Sequence, residues 1–374
     1  MNMVNHAKEM ITQLLSSAGV TVNGKSPGDI IIHNEQLYSR VLRGGSLALG
    51  ESYMDGWWDC DAVDVFISKV LRTNTEKGVR IQWRFVLFYL SNLVFNRQSR
   101  RRASIVGEKH YDVGNDLYQA MLDKRLVYTC GYWKHAKNLD EAQEAKFDLV
   151  CKKLNLKPGM KILDIGCGWG SFAKFAAEKY KVNVVGVTIS KEQAQFARKL
   201  CEGLPVEIRL IDYRAIDEKF DHIVSLGMFE HVGVKNYRTY MKVAERCLKD
   251  NGLFLLHTIG YYRSARGGDP WLDKYIFPNG MLPSIAQIGK AIEKLFIIED
   301  LHNFGAYYDL TLMAWSNNFN RAWPELKSRY SGRFYRMWNY YLLSCAGAFR
   351  AREMQLWQIV LSKKGVIGGY DSIR

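Results

Sequence analysis

The chain of 374 residues contains no Cys-x-x-Cys pair. Its seven cysteines, Cys60, Cys130, Cys151, Cys167, Cys201, Cys247 and Cys345, are odd in number and scattered. That pattern argues against a disulfide framework or a zinc site; reduced thiols and no metal are expected. No apolar run reaches the about 20 residues that a membrane-crossing helix requires. The best candidate, Ile81 to Phe95, spans about 15 residues and is interrupted by Gln82, Arg84, Ser91 and Asn92. It reads either as an amphipathic helix, interfacial or packed on a domain, or as a core helix. The polar start Met1 to Lys8 is not followed by an apolar segment with a small-residue cleavage site, so a cytoplasmic protein is expected. Internal repeats and low-complexity tracts are also lacking.

What is present is an excess of positive charge. Lys and Arg number 52 against 38 Asp and Glu, a net +14. Such a surface attracts polyanions, either nucleic acid or an anionic membrane face. Hydrophobic residues at 48% and charged residues at 24% describe an ordinary globular enzyme, long enough for two domains.

Residues 1–100 read as a small α+β module. Ile11, Leu14 and Leu15 recur at helical spacing within Ala7 to Ala18, and Asp29-Ile-Ile-Ile-His33 resembles a strand. The basic, poorly periodic stretch Asn96 to Arg102 marks the boundary with a second domain, 101–374. From about residue 155 apolar strands alternate with helices: Lys161–Ile165, Asn183–Val187, Val206–Ile211, His222–Ser225 and Leu253–His257, with helices opening near Ser171 and Ser190. This alternation predicts an α/β, Rossmann-like parallel sheet covered on both faces, with ligands at the carboxyl ends of its strands.

Asp164-Ile-Gly-Cys-Gly-Trp-Gly170 leaves the first of these strands and opens a helix, so Gly166, Gly168 and Gly170 let the backbone approach a ligand at a helix N-terminus. Dinucleotide fingerprints space the third glycine one residue later; this spacing points to S-adenosylmethionine rather than NAD. The second strand ends in Val187-Thr-Ile-Ser190 without the usual ribose-binding acid. Thr188 and Gln193 offer a hydroxyl and an amide in its place; the alternative is that Ser190 caps the helix and Gln193 is solvated. Asp212 and Tyr213 end the third strand, where a carboxylate can accept from the adenine amine and an aromatic ring can stack.

Taken in order, Leu49-Gly-Glu-Ser-Tyr-Met-Asp-Gly-Trp-Trp58, His110-Tyr-Asp-Val-Gly-Asn-Asp116, Tyr128-Thr-Cys-Gly-Tyr-Trp133, the glycine segment, Gly227-Met-Phe-Glu-His-Val-Gly233, His257-Thr-Ile-Gly260, Ile276-Phe-Pro-Asn-Gly280 and His302-Asn-Phe-Gly305 resemble the cyclopropane fatty acid synthases over nearly the whole chain. The N-terminal module points to the branch acting on phospholipid. The resemblance implies that a cis double bond of an acyl chain attacks the sulfonium methyl of S-adenosylmethionine, and that a bound bicarbonate takes a proton before ring closure. It implies Cys130, Glu230, His257, Tyr308 and the backbone amide of Ile259 as ligands of that anion, with Tyr128 and Thr129 beside the cofactor. Tyr275 and Phe277 are aromatic candidates to face a cation. A homodimer and peripheral attachment of the 1–100 module to the inner, anionic face of a membrane are also implied. Taken singly, Cys130 reads as a buried thiol, His257 as a core histidine, Glu230 as a partner of Lys235 and Tyr308 as packing. The positive charge also admits a nucleic-acid methyltransferase, but neither an Asn/Asp-Pro-Pro-Tyr-like motif nor an RNA-binding module is present, so no nucleic-acid partner is expected.

Overall fold

The computed structural model describes residues 3–73, 114–265 and 267–374. The segment Ile81 to Phe95, the basic break Asn96 to Arg102 and the first four residues of the His110 motif lie outside the described residues.

In chain order the described elements begin with α1 (Met3–Ser17), β1 (Ile31–Ile32), α2 (Gln36–Met54), β2 (Trp58–Asp59), α3 (Val63–Arg72), α4 (Asn115–Met121) and α5 (Leu139–Lys153). The sheet region follows with β3 (Lys161–Ile165), α6 (Ser171–Tyr180), β4 (Asn183–Thr188), α7 (Lys191–Leu200), β5 (Val206–Leu210), β6 (His222–Leu226), α8 (Tyr237–Cys247) and β7 (Leu253–Tyr261). The last elements are α9 (Pro270–Tyr275), α10 (Ile285–Ile292), β8 (Ile297–Asn303), α11 (Ala306–Leu326), α12 (Gly332–Arg350) and β9 (Met354–Ser362). No described helix is long and apolar enough to cross a membrane.

The chain forms two compact units, neither of them one continuous stretch. The first joins the described residues up to 73 to Gly267–Pro278 and Tyr308–Met354. It is mainly helical; β1 and β2 contribute only a short antiparallel pair. The sequence places all of 101–374 in the second domain, but the structure returns two of its segments to the first unit. The reason is packing. An added Cβ at Gly347 would lie 2.5 Å from the Asp64 carbonyl, so α12 passes α3 at backbone distance. Arg350 pairs with Asp64 at 2.5 Å and Asp309 at 2.9 Å, Arg336 pairs with Asp59 at 2.7 Å, and the Trp271 ring meets Tyr340 edge-on at 4.8 Å. The N-terminal helices alone lack this aromatic covering, so the later helices complete their core.

The second unit holds the remaining described residues, including Asn279–Tyr307 and Gln355–Arg374. Its seven-stranded sheet runs in the order β5-β4-β3-β6-β7-β9-β8. β5, β4, β3, β6 and β7 are parallel neighbours, and β8 pairs antiparallel with β9. Alternation along β3 shows why both faces are covered. Leu163 and Ile165 join the core under α8 and α10, with Tyr240, Met241 and Ile288, whereas Ile162 joins Phe147, Val150, Phe172 and Phe175 of α5 and α6. Local caps set the helix starts: Asn138 accepts from Glu141 N before α5, Ser190 from Gln193 N before α7, and Ser284 forms a capping box with Gln287 before α10. The strand order reverses between β3 and β6, which opens a crevice at their carboxyl ends.

Gly260, near the end of β7, admits no side chain: an added Cβ would fall 1.9 Å from the Trp357 ring, itself 2% exposed. Gly260→Ala is therefore expected to lower stability by about 1–3 kcal/mol, as overpacking does. Thermal melts of the two proteins check this; an unchanged melting temperature would contradict the packing.

Candidate active site

The loop leaving β3 is tied to the exit of β4, because Gly166 N and Cys167 N both donate to Val187 O, at 3.0 and 3.1 Å. Gly166 (φ 82°) and Gly168 (φ 54°) adopt the left-handed backbone that side chains disfavour. Their surroundings differ. A Cβ at Gly166 would strike Met228 at 2.6 Å, while one at Gly168 meets nothing within 4 Å. Gly166 is thus needed for close packing, and Gly168 leaves open space at the N-terminus of α6. Gly170 passes α7 closely, its Cβ position lying 3.0 Å from Ala197. Asp164, 2% exposed, has an Oδ2 without a hydrogen-bond partner, and burial raises its pKa to about 7.

At the β4 exit Thr188 and Gln193 are both buried and meet: the Thr188 hydroxyl donates to Gln193 Oε1 at 2.9 Å, and Ser190 N donates to Thr188 Oγ1. Ser190 thus caps α7, while Gln193 is buried instead of solvated. Beyond β5 two expectations change. The Asp212 carboxylate is gripped by Arg214 through Nε at 2.8 Å and Nη2 at 2.6 Å. The Tyr213 ring lies in the hydrophobic core, 5.1 Å from Tyr240, instead of standing free for stacking, because its apolar face is better buried there.

The β6 and β7 exits bring Glu230, His257 and Ile259 together. Glu230 stands on a short 3-10 turn and is 7% exposed; its Oε1 accepts from Ile259 N at 2.7 Å and its Oε2 has no hydrogen bond. The Ile259 amide, expected to face an anion, is thus committed to Glu230. Burial raises the Glu230 pKa to about 7, against the opposing pull of the Ile259 amide. Glu230 makes no surface pair with Lys235. His257, 1% exposed, has Nδ1 3.3 Å from the Gln358 side-chain amide, and its Nε2 has no hydrogen-bond partner. Burial, reinforced by the charges of Lys146 and Lys153, holds its pKa well below the usual value, so the ring is neutral.

Cys130 is fully buried and its thiol donates to Gly131 O at 3.2 Å. The preceding residue, Thr129, packs against β6: a Cβ at Gly227 would meet Thr129 Cγ2 at 2.6 Å. The Tyr128 ring meets Tyr118 edge-on, and Tyr118 in turn lies 5.2 Å from Trp169 of the glycine loop. Tyr308 belongs to the first unit, where it stacks on Phe349 at 4.5 Å. Tyr275 also lies there, its hydroxyl donating to Glu51 and its ring under Lys274, while Phe277 meets Tyr341 edge-on. Two residues beside the site had no sequence signal, Gln358 on His257 and the fully buried Lys146, whose Nζ donates to Thr129 Oγ1 at 2.6 Å, and Met228 against Gly166 was visible only as part of a motif. Each contact forms only when distant segments meet.

Open space at Gly168, an orphaned carboxylate oxygen on Asp164 and paired polar groups after β4 fit the cofactor of a Rossmann-like, S-adenosylmethionine-dependent methyltransferase, and that is the class this unit defines. Residues 98–359 match the family model for mycolic acid cyclopropane synthetase. The chain is 56% identical over 96% of its length to the cyclopropane-fatty-acyl-phospholipid synthase of Escherichia coli, covering 93% of that protein. It is 35% identical over 68% of its length to cyclopropane mycolic acid synthase 3 of Mycobacterium tuberculosis, covering 96%. A solved mycolic acid cyclopropane synthase complexed with SAH and CTAB aligns with a TM-score of 0.65 at 33% identity, over 70% of this chain and 98% of that one. The chain belongs to the mycolic acid cyclopropane synthetase family.

The buried acid gives a stability signature. Because the folded pKa of Glu230 is raised, the folded state binds more protons than the unfolded chain, so stability falls as pH rises from the ordinary carboxylate range to about 7 and stays reduced above it. Glu230→Gln is expected to melt higher than wild type at about pH 8, with the difference shrinking toward about pH 4.5. Melting curves of ligand-free protein across this range decide; a difference that grows on acidification would contradict the burial.

Proposed function

We propose that this enzyme adds a one-carbon unit from S-adenosylmethionine across the cis double bond of unsaturated acyl chains in membrane phospholipid, with a bound bicarbonate as the base. The observation that carries the reading is the pair of unpartnered buried atoms, Glu230 Oε2 and His257 Nε2, at the strand exits next to the glycine loop, in a chain so similar to a cyclopropane-fatty-acyl-phospholipid synthase.

The cofactor would be held by the backbone at Gly166, Gly168 and Gly170 and by Asp164, Thr188 and Gln193, and it supplies an electrophilic methyl group. The neutral His257 has Nε2 open and, protonated there, donates to a small oxyanion. Glu230, oriented by the Ile259 amide, has Oε2 open for the same anion, and with a pKa near 7 it can take or return a proton at neutral pH. Burial of both excludes water that would otherwise quench a cationic substrate. Loss of one proton from the methylated acyl chain lets the ring close, so the net gain is one CH2. Cys130 and Tyr308 complete the proposed anion ligands, and Tyr128 and Thr129 the cofactor's surroundings. The surplus charge and the 1–100 module favour peripheral docking on an anionic inner membrane face, and a homodimer is proposed from the family resemblance.

Incubated with vesicles of cis-unsaturated phospholipid and S-adenosylmethionine, the protein is expected to add about 14 mass units per modified double bond and to release S-adenosylhomocysteine. Methylation of an amine or nucleic acid with unchanged lipid would refute this. Glu230→Gln should lower turnover by about 10² to 10⁴ with cofactor affinity nearly unchanged, whereas Gly168→Val should weaken cofactor binding, as calorimetry would read. Binding to vesicles should require anionic lipid and weaken with salt, since screening at physiological ionic strength acts over about 8 Å. Equal co-sedimentation with neutral and anionic vesicles at low salt would remove the electrostatic part.

A further inference from the structure

Helix α5 carries Gln143 and Lys146 three residues apart, both with no solvent exposure. They hold Thr129 from two sides. Gln143 Nε2 donates to the Thr129 carbonyl at 2.7 Å, and Lys146 Nζ donates to the Thr129 hydroxyl at 2.6 Å and to Gln143 Oε1 at 2.8 Å. Thr129 in turn abuts Gly227 at the β6 exit and precedes Cys130. Every hydrogen-bond acceptor of Lys146 is therefore neutral, and no carboxylate among the described residues forms an ion pair with it. The acid that acts on it, Asp123, spends its oxygens on the amides of Arg125 and Val127, and burial pushes its pKa up.

The second buried lysine of the same helix makes the contrast. Lys153 lies 3.4 Å from Asp300, a carboxylate that it shares with Arg374, so it does have a bonded acid. An ammonium taken out of water without a bonded counter-charge is costly and is retained where an anion repays it. The field of Lys146 reaches both Cys130 and His257, and desolvation pulls its own pKa down to about 7, so at neutral pH a bound anion is what would hold the ammonium fully charged. Because His257 is neutral and Glu230 is an acid, neither can offset the charge of an anion held between them.

We propose that Lys146 is a positioning residue for the reaction: anchored on Thr129 and Gln143, it fixes the Tyr128–Cys130 segment at the β6 exit and supplies the positive charge that balances a bicarbonate-sized oxyanion near Glu230 and His257. This rests on the oxyanion reading of that site.

The test is turnover on cis-unsaturated phospholipid vesicles as sodium bicarbonate is added back after stringent depletion, for wild type, Lys146→Met, Thr129→Val and Thr129→Ser, with cofactor affinity measured in parallel. Lys146→Met should raise the bicarbonate concentration for half-maximal rate by about tenfold or more, the scale of one charge-assisted contact, while cofactor affinity changes by less than about threefold. Thr129→Val, which removes the anchor but little volume, should shift that concentration in the same direction, and Thr129→Ser should restore it; these two decide the matter should Lys146→Met fail to fold. A purely structural role would lower the maximal rate at every bicarbonate concentration and leave the half-maximal concentration unmoved, which overturns the proposal. A wild type indifferent to bicarbonate overturns the oxyanion reading itself, and the counter-charge with it, whereas a responsive wild type with unshifted variants overturns only the role of Lys146.

Discussion

The site depends on one buried hydrogen bond, from the Ile259 amide to Glu230 Oε1. It joins the turn after β6 to the end of β7, two strands already in register through Leu226 and His257 and tied by Gly227 N to His257 O. With Oε1 satisfied, the carboxyl group is held in one orientation and Oε2 is left facing the interior without a partner. A buried polar atom left unsatisfied costs free energy that packing has to offset. The surrounding strands provide that packing, since the core residues on both faces of β3 and β6 are almost fully buried.

The same region concentrates groups whose charge states are displaced by desolvation. Asp164 and Glu230 are both pushed up to about 7, while His257 is held neutral. Shifts of this kind follow when ionisable side chains are enclosed by apolar strands, and they place acids close to the pH at which they exchange protons readily. Nearby, the fully buried Lys146 of α5 is bonded to the neutral acceptors Thr129 Oγ1 and Gln143 Oε1, which ties that helix to the segment beside the β6 exit.

The two units show how a chain distributes its core. Helix α12 lies between β8 and β9 in sequence, yet its side chains meet the N-terminal elements: Arg350 pairs with Asp64 of α3, Arg336 with Asp59 of β2, and Tyr340 meets Tyr53 of α2. Among the described residues Tyr340 packs on Tyr53 and Trp58, so a later helix contributes side chains to the N-terminal core.

Much of the second unit was legible because its signals are local. The alternation of apolar strands with helices identified β3 to β7 within a few residues, and the glycine segment was placed at a helix start, where the structure shows Gly166 and Gly168 at positive φ. The resemblance named Glu230 and Ile259 as anion ligands, whereas the structure bonds them to each other. What the sequence could not convey were partnerships between distant segments: that Ile259 spends its amide on Glu230, that Arg214 takes the Asp212 carboxylate, that Tyr213 turns into the core, that Gln358 meets His257, and that Lys146 is buried beneath Thr129. Local pattern determined the elements and the chemistry-bearing residue types, since backbone propensity and periodicity act over a few residues. Which polar atom meets which, and therefore which remain open for a ligand, was decided only when strands and helices far apart in the chain excluded water together.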